Sequence, residues 1–115
     1  MQMEAQNLFA GAAFAEKVYE LLRRVPPGRV TTYRELARAL GSRAYRGVGQ
    51  ALRRNPYAPE VPCHRVVAAS GRIGGFRGRS EGPEIAEKIR LLAAEGVECE
   101  AGRVKNLAAV IFTFS

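Results

Sequence analysis

Cys63 and His64 are the two residues of this chain whose side chains could carry out covalent chemistry together. They are adjacent in the run Pro62-Cys63-His64-Arg65, and His64 is the only histidine. A cysteine attacks as its thiolate, and a nearby histidine backed by a carboxylate can remove the thiol proton. By itself the pair also fits an unreactive buried cysteine beside a surface histidine. Because neighbouring side chains of an extended segment point to opposite sides, we expect a water molecule or a local turn to link them.

Metal binding is a second kind of chemistry that these residues could support. The chain has two cysteines, Cys63 and Cys99, which are too few for a disulfide framework. With His64 they make three candidate ligands, whereas a structural zinc site usually takes four at hairpin-like spacings. We therefore expect no metal site.

The composition fits a small protein that binds nucleic acid. The 115 residues make one domain, and 18 Lys and Arg against 11 Glu give a formal charge of +7. Only Lys17, Lys88 and Lys105 are lysines, and arginine both binds phosphate as a planar fork and stacks on bases. A high-GC genome or the ion pairs of a thermophile would give the same bias.

Neither a membrane segment nor a secretion signal is indicated by the sequence. No apolar run reaches the roughly 18 residues that a membrane span needs. Residues 1–10 lack the basic and apolar regions of a signal peptide. We expect a cytoplasmic protein that makes no contact with a membrane.

Two helices with buried apolar stripes are predicted on either side of the Cys63 run. The first should extend from Ala12 to Arg24, where Pro26-Pro27-Gly28 ends it. The other should begin at Pro83, a residue suited to a first helical turn, and end at Gly96. Both stripes are interpreted as core, and they comprise Phe14, Val18, Leu21, Leu22 and Val25 in the first helix and Ile85, Ile89 and Leu92 in the other.

A helix-turn-helix is predicted between these two helices. Thr32 followed by Glu35 is a capping box, so a short helix should span Tyr33 to Leu40 and stop at Gly41. The next helix should span 43–54 with an apolar side made of Tyr45, Val48 and Leu52. Its small residues fit either close helix packing or insertion into a DNA groove, and arginines beside them favour DNA; these residues are Ala44, Gly47, Gly49 and Ala51 with Arg46, Gln50, Arg53 and Arg54.

Strands are expected in the rest of the chain. Residues 61–67 and 72–76 should form a small hairpin or wing around the turn Ser70-Gly71. In the tail, 97–100 and 107–114 should form two further strands, with a turn at 101–102.

Six runs of the chain together resemble the C-terminal domain of O6-alkylguanine-DNA alkyltransferases. The similarity covers roughly residues 14–96, and the Pro-Cys-His-Arg-Val run at its distance from Asn-Pro is the most specific part. The runs are VTTY (30–33), ELA (35–37), RGVGQAL (46–52), NP (55–56), VPCHRVV (61–67) and SGRIGGF (70–76).

The resemblance implies a fold and an activity. The fold would be a mainly α, winged-helix-like domain with a helix-turn-helix and a small β hairpin, spanning 1–115 without an extra N-terminal domain. The activity would be repair of double-stranded DNA: the damaged base is flipped out, and its O6-alkyl group passes once to Cys63. The resemblance further implies a monomer that needs no cofactor and binds DNA through the minor groove, whose narrowness would explain Gly47, Gly49 and Ala51.

Matching positions receive roles from the resemblance. Cys63 would accept the alkyl group, His64 would be the water-linked base, Glu95 would orient and charge-balance it, and Asn55 would hold the intervening turn and the hydrogen bonds of the thiol. Arg46 would be the finger that fills the vacated base stack. The expected DNA contacts are Thr32, Tyr33, Arg34, Arg46, Gln50 and Ala51, and the expected base pocket consists of Tyr33, Val66, Phe76 and Arg77.

The chain also departs from the family pattern. Its length matches the alkyltransferase-like proteins, which carry tryptophan or alanine instead of the cysteine and mark lesions for excision repair. That lesion-binding role, with excision-repair proteins as partners, is therefore the alternative function, and a plain helix-turn-helix regulator is a third. Arg77 and Arg79 stand where a small polar residue and a glycine are usual, which changes the pocket rim. The segment Glu81–Ala86 is longer than typical, so Glu95 could be displaced.

Overall fold

Residues 13–114 are described by a computed structural model of the chain. No helix in this range is long and apolar enough to cross a membrane. The helices are α1 (13–22), α2 (Tyr33–Ala39), α3 (Tyr45–Arg53), α4 (Pro83–Ala94) and α5 (Leu107–Val110). The strands are β1 (Thr31–Thr32), β2 (Val66–Val67), β3 (Cys99–Glu100) and β4 (Arg103–Val104), and Cys63–Arg65 form one 3-10 turn.

The predicted helix-turn-helix is formed by α2 and α3. The Thr32 hydroxyl caps α2 by accepting a hydrogen bond from the Glu35 amide at 3.0 Å. The second arm of the predicted capping box is absent, because the Glu35 carboxylate binds Arg38 and the Phe114 amide instead. Gly41 follows α2 with a φ of +66°, a left-handed conformation that favours glycine and ends the helix where the sequence indicated.

The main core lies where α1 packs against α2 and α3. Val18, Leu22 and Leu36 are fully buried there, as the helical spacing predicted. One assignment was wrong, because Tyr45 was expected on the apolar side of α3 but is 49% exposed. The helix begins two residues later than predicted, so Tyr45 occupies its first turn and borders an open groove instead of the core.

The predicted wing is replaced by a different pairing. Pro62 has no amide hydrogen and is followed by the 3-10 turn, so only the last two residues of the expected strand 61–67 are extended. Those residues form β2, which pairs in parallel with β1 and not with 72–76. The register places Thr31 opposite Val66 and Thr32 opposite Val67. This pairing fixes the entry to the helix-turn-helix directly beside the Cys63 turn.

A second core lies between α4 and the tail. Val30, Val67 and Leu92 meet in it. β3 and β4 form an antiparallel hairpin around residues 101–102, which confirms the predicted turn. The predicted strand 107–114 is wrong: residue 106 adopts a left-handed conformation, and the chain then turns into α5.

Candidate functional site

Cys63 opens onto a surface cavity of about 290 Å³. The thiol residue is half-buried and belongs to the 3-10 turn that follows Pro62. The cavity is walled by α3 through Gly49 and Leu52, and by the segment that carries Phe76. A cysteine in this position is both accessible to a small substrate and partly shielded from bulk water.

Glu95 binds both residues that follow Cys63, and we call His64, Arg65 and Glu95 the Glu95 network. His64 Nε2 lies 2.9 Å from Glu95 Oε2. Arg65 donates from Nε to Oε1 at 2.9 Å and from Nη2 to Oε2 at 2.7 Å, and its Nη1 binds the Val25 carbonyl at 2.8 Å. The longer segment 81–86 therefore does not displace Glu95, and the expected shift is wrong.

The charge of Glu95 is set by opposing influences. Burial by itself would raise the pKa of the carboxyl group, but hydrogen bonds from Arg65 and then His64 outweigh it, and the pKa lies below its usual value. Glu95 is therefore a carboxylate at neutral pH. Its negative charge lies next to the His64 ring, where it would balance an imidazolium formed in a reaction.

The turn that carries Cys63 is held by Asn55. Its side-chain amide donates to the Val61 carbonyl at 2.8 Å, and its carbonyl accepts from the Tyr57 amide at 2.9 Å. The Cys63 amide donates to the same Val61 carbonyl at 2.9 Å. Asn55 thus reaches Cys63 through the backbone of the turn, whereas no hydrogen bond between Asn55 and the thiol is present in residues 13–114.

Tyr33, the first residue of α2, lines the Cys63 cavity. Burial raises the pKa of its hydroxyl, and the nearby Cys63 raises it further, so the hydroxyl keeps its proton at neutral pH. The ring packs on Gly74, whose φ is +75°, and a Cβ there would lie 3.3 Å from the Tyr33 oxygen. Tyr33 is therefore a fixed proton donor facing the cavity.

The other three residues expected in the base pocket have different outcomes. Phe76 and Arg77 line the cavity together with Tyr33. Val66 does not, because its side chain is fully buried in β2 and its carbonyl accepts a hydrogen bond from Lys88 at 2.7 Å. The turn after Cys63 directs the Val66 side chain into the core and away from the cavity, and the role expected for its backbone groups stays a prediction.

The residues expected to contact DNA divide by exposure. Arg34, Arg46 and Gln50 are exposed on the helix-turn-helix. Thr32 and Ala51 are only 3% and 5% exposed. Their side chains are therefore excluded as surface contacts, and this is a correction: Thr32 caps α2, and Ala51 packs in the core.

Helix packing explains the small residues of α3 better than a groove does. A Cβ on Gly47 would lie 3.1 Å from the Phe14 ring of α1, and the Ala51 carbonyl accepts the Tyr19 hydroxyl at 2.6 Å. Gly49 alone faces open space, on the wall of the Cys63 cavity. Of the two interpretations that the sequence allowed, the close contact between helices applies at positions 47 and 51.

The family model described as 6-O-methylguanine DNA methyltransferase, DNA binding domain, matches residues 13–97. The chain belongs to this family. The resemblance inferred from the sequence motifs is therefore confirmed, and so is the mainly helical architecture.

Two methyltransferases with similar sequences extend this result. The methylated-DNA–protein-cysteine methyltransferase of Sulfolobus acidocaldarius is 44% identical over 98 residues, which are 85% of this chain and 58% of that protein. The protein of the same name from Thermococcus kodakarensis is 51% identical over 86 residues, which are 74% of this chain and 45% of that protein. The chain spans about half the length of these relatives.

Solved structures of two kinds share the fold. S. pombe Atl1, in complex with damaged DNA containing O6-carboxymethylguanine, has a TM-score of 0.75 at 32% identity, covering 90% of this chain and 97% of that one. The O6-methylguanine-DNA methyltransferase from Pyrococcus kodakaraensis strain KOD1 has a TM-score of 0.62 at 49% identity, covering 73% and 46%. Both a methyltransferase and Atl1 are thus structural neighbours.

Lys88 is a buried residue at the site that sequence reasoning missed. It is fully buried, and its ammonium group donates to the carbonyls of Val66, Ile73 and Gly75 at 2.7, 2.6 and 3.0 Å. Its position was visible in the sequence, because residue 88 lies three residues after Ile85 on the apolar stripe of α4. A lysine on a buried stripe requires polar partners, and these carbonyls supply them.

Proposed function

We propose that this chain binds duplex DNA containing O6-alkylguanine and transfers the alkyl group to Cys63, once per molecule. The observation that carries the proposal is the position of Cys63, which opens onto the cavity while the next residue, His64, is held by Glu95 at 2.9 Å. Family membership supports the same reaction.

DNA would approach the face formed by α2 and α3. Arg34, Arg46 and Gln50 are exposed there, and the chain carries a formal charge of +7, so attraction to phosphates is favourable. An O6-alkyl group lies within the base stack, so the nucleotide must rotate outward to reach Cys63. We assign Arg46 to the space that the base leaves, in a helix-turn-helix bound through the minor groove.

The transfer is a displacement at the alkyl carbon. His64 takes the Cys63 proton through water, and Glu95 stabilises the imidazolium that results. The Cys63 sulfur then forms a bond to the alkyl carbon while the bond from that carbon to guanine O6 breaks. The guanine anion leaves with the bonding electrons, accepts a hydrogen bond from the Tyr33 hydroxyl and takes a proton from water, while His64 returns its extra proton to water. The product is a thioether, which is not a leaving group here, so the protein reacts once and needs no cofactor.

Lesion binding without transfer is the second candidate function. One observation favours it: S. pombe Atl1 matches 90% of this chain with a TM-score of 0.75, whereas the P. kodakaraensis methyltransferase matches 73% with a TM-score of 0.62. In that case the cavity would receive the damaged base, Cys63 would not react, and the complex would mark the lesion for excision-repair proteins.

Mass spectrometry distinguishes the two candidates. After mixing with duplex containing O6-methylguanine, we expect one added methyl group per chain, located on the peptide that contains Cys63. Excess DNA should add no second group, because no step regenerates the thiol. Cys99 serves as an internal control: burial raises the pKa of its thiol, which disfavours the reactive thiolate.

A variant completes the test. Cys63→Ala should transfer nothing yet still prefer damaged over undamaged duplex, because the cavity walls come from other residues. Tight binding of the lesion by the unaltered protein, with Cys63 unmodified, would reject transfer and support lesion binding. Methylation of Cys99 in place of Cys63 would contradict the assignment of the nucleophile.

A further inference from the structure

The turn 76–79 at the mouth of the Cys63 cavity has its shape fixed by the backbone. The Phe76 amide donates to the Arg79 carbonyl at 2.8 Å, and the Arg79 amide donates back to the Phe76 carbonyl at 3.0 Å. The central residues Arg77 and Gly78 have φ values of +53° and +78°, as in a two-residue hairpin turn of type I′. The turn therefore presents arginines from a well-defined backbone.

Among residues 13–114, three arginines line this cavity, and we call Arg53, Arg77 and Arg79 the arginine rim. Arg53 extends from α3 and packs along Gly78, where a Cβ would lie 2.9 Å from the Arg53 Nε atom. Helix α3 and the turn 76–79 are thus in contact at the arginine rim. The cavity wall contains no aspartate or glutamate.

The positive charge of the arginine rim is only partly balanced. Arg77 forms an ion pair with Glu87 at 2.9 Å, and its guanidinium lies over the Phe76 ring at 4.9 Å. Within residues 13–114, neither Arg53 nor Arg79 has a carboxylate within 4.0 Å or a side-chain hydrogen bond. Their donors are available to a ligand in the cavity.

We infer that the arginine rim makes the Cys63 cavity selective for O6 adducts that carry a carboxylate, over neutral adducts of the same size. The inference rests on the proposed function, in which this cavity receives O6-alkylguanine. With the reacting carbon at the Cys63 sulfur, the outer end of a longer adduct lies in the space that these arginines border. A guanidinium fork matches a carboxylate with two parallel hydrogen bonds, which an amide of the same shape cannot reproduce.

The competing explanation is that these arginines contact DNA phosphates. In that case they would strengthen binding to every duplex by the same factor, whatever the adduct. When two adducts are compared in the same DNA sequence, the phosphate contribution is the same for both and cancels in the ratio of their dissociation constants. The experiment is therefore a ratio of two dissociation constants.

The test uses the full chain with Cys63→Ala, so that binding is measured without transfer. Four duplexes of one sequence carry O6-carboxymethylguanine, its neutral amide O6-carbamoylmethylguanine, O6-methylguanine or guanine. We expect the carboxymethyl duplex to bind about tenfold more tightly than the amide duplex, the size of one good charge-assisted contact. Added Arg53→Gln, Arg77→Asn and Arg79→Gln should bring the ratio close to one; asparagine tolerates the left-handed backbone at position 77.

A matched control and two outcomes complete the test. Arg90→Gln removes a guanidinium group from α4, outside the cavity, and should leave the ratio unchanged. A ratio of one or less before the rim is altered, or a ratio that survives its removal, overturns the inference. If the ratio is one while the unaltered protein still methylates Cys63, only the selectivity is wrong. If O6-methylguanine also binds no better than guanine and no methyl is transferred, the proposed function fails with it.

Discussion

The Glu95 network follows Cys63 in its turn, the arginine rim lines the cavity of Cys63, and the two are built in opposite ways. In the network, side chains hold one another: Glu95 binds His64 and Arg65, and the side chains of His64 and Glu95 are only 8% and 17% exposed. In the rim, the backbone fixes the turn, while the side chain of Arg77 is 52% exposed. The first arrangement cannot lose a residue without leaving a buried group unpaired, whereas the second can.

This difference separates reactivity from selectivity. A side chain with two or three buried partners is constrained by all of them, so the Glu95 network, which we propose activates Cys63, should tolerate little change. Exposed side chains on a backbone-determined turn can be exchanged at small cost in stability. The chemistry of the cavity should therefore be fixed by the network, and the range of adducts should be adjustable at the rim.

Substituting Glu95 should have the largest effect on the reaction. Glu95→Gln places an amide NH2 group against a donor of Arg65 or His64, because both carboxylate oxygens accept hydrogen bonds. It also removes the charge that stabilises the imidazolium. We expect methyl transfer to slow by about a hundredfold, the lower end of what positioned acid–base groups contribute. Single-turnover transfer rates and the dissociation constant for damaged duplex should be measured together.

The control for Glu95→Gln is Glu98→Gln, which makes the same charge change at a side chain 74% exposed. It should alter neither rate nor binding. DNA binding by Glu95→Gln should stay within about twofold, since Glu95 faces the protein interior. An unchanged transfer rate would mean that Glu95 only closes the end of α4.

Lys88 joins the two regions, and its removal should have the second-largest effect. One carbonyl partner, that of Val66, lies on β2 beside the Cys63 turn. The other two, those of Ile73 and Gly75, lie on the segment that leads to the arginine rim. Lys88→Met keeps nearly the same side-chain volume but leaves three buried carbonyls without a donor. Each unsatisfied carbonyl costs about 1–3 kcal/mol. Part of that loss is offset because no charge is buried. We expect the free energy of unfolding to fall by about 2 kcal/mol in denaturant titrations.

The pH dependence of that difference tests the state of Lys88. Burial lowers its pKa to about 8 from the 10.5 of an ordinary lysine, although Cys63 and Cys99 act in the opposite direction. Between these pH values the unfolded chain holds the proton and the folded chain has released it, so a rising pH favours folding. The stability of the unaltered protein relative to Lys88→Met should therefore rise from pH 8 to about 10.5 and stay flat below pH 8. A difference that stays flat up to about pH 10.5 and falls only above it would show that the carbonyls hold the proton more tightly than water does. Lys105→Met, at an exposed lysine, is the matched control.

Local sequence signals predicted α1 to α4 and the turn at 101–102, but they failed for the β1–β2 pairing and for α5. The bounds of α2 agree within one residue because a cap at Thr32 and a stop at Gly41 are encoded locally. The β1–β2 pairing joins residues far apart in sequence, and nothing in either segment specifies its partner. Pro62 and residue 106 each redirect the chain within what otherwise resembles a strand.

The site residues could be predicted where a family motif assigned their positions. Residue types and spacing alone predicted them only in part. Cys63 and His64 adjoin in sequence, but the reach of Glu95 to His64 depends on how α4 packs. The minor-groove explanation of residue 47 failed because its neighbour, Phe14, belongs to another helix. Burial of Thr32 and Ala51 likewise follows from tertiary packing, which a single sequence does not display.

The smallest expected effect is on stability, at Arg77 in the arginine rim. It tests directly whether the rim is freer to change than the Glu95 network. Arg77 occupies a left-handed conformation with φ +53°, which glycine adopts without penalty and alanine does not. Arg77→Gly and Arg77→Ala both remove the exposed ion pair with Glu87, worth at most about 0.5 kcal/mol. The two variants therefore differ only in backbone preference, and we expect the glycine variant to be more stable than the alanine variant by about 1 kcal/mol. Thermal unfolding measures the difference. If both variants instead lose 2 kcal/mol or more, the Arg77 side chain is a structural support, and the rim is no freer to change than the Glu95 network.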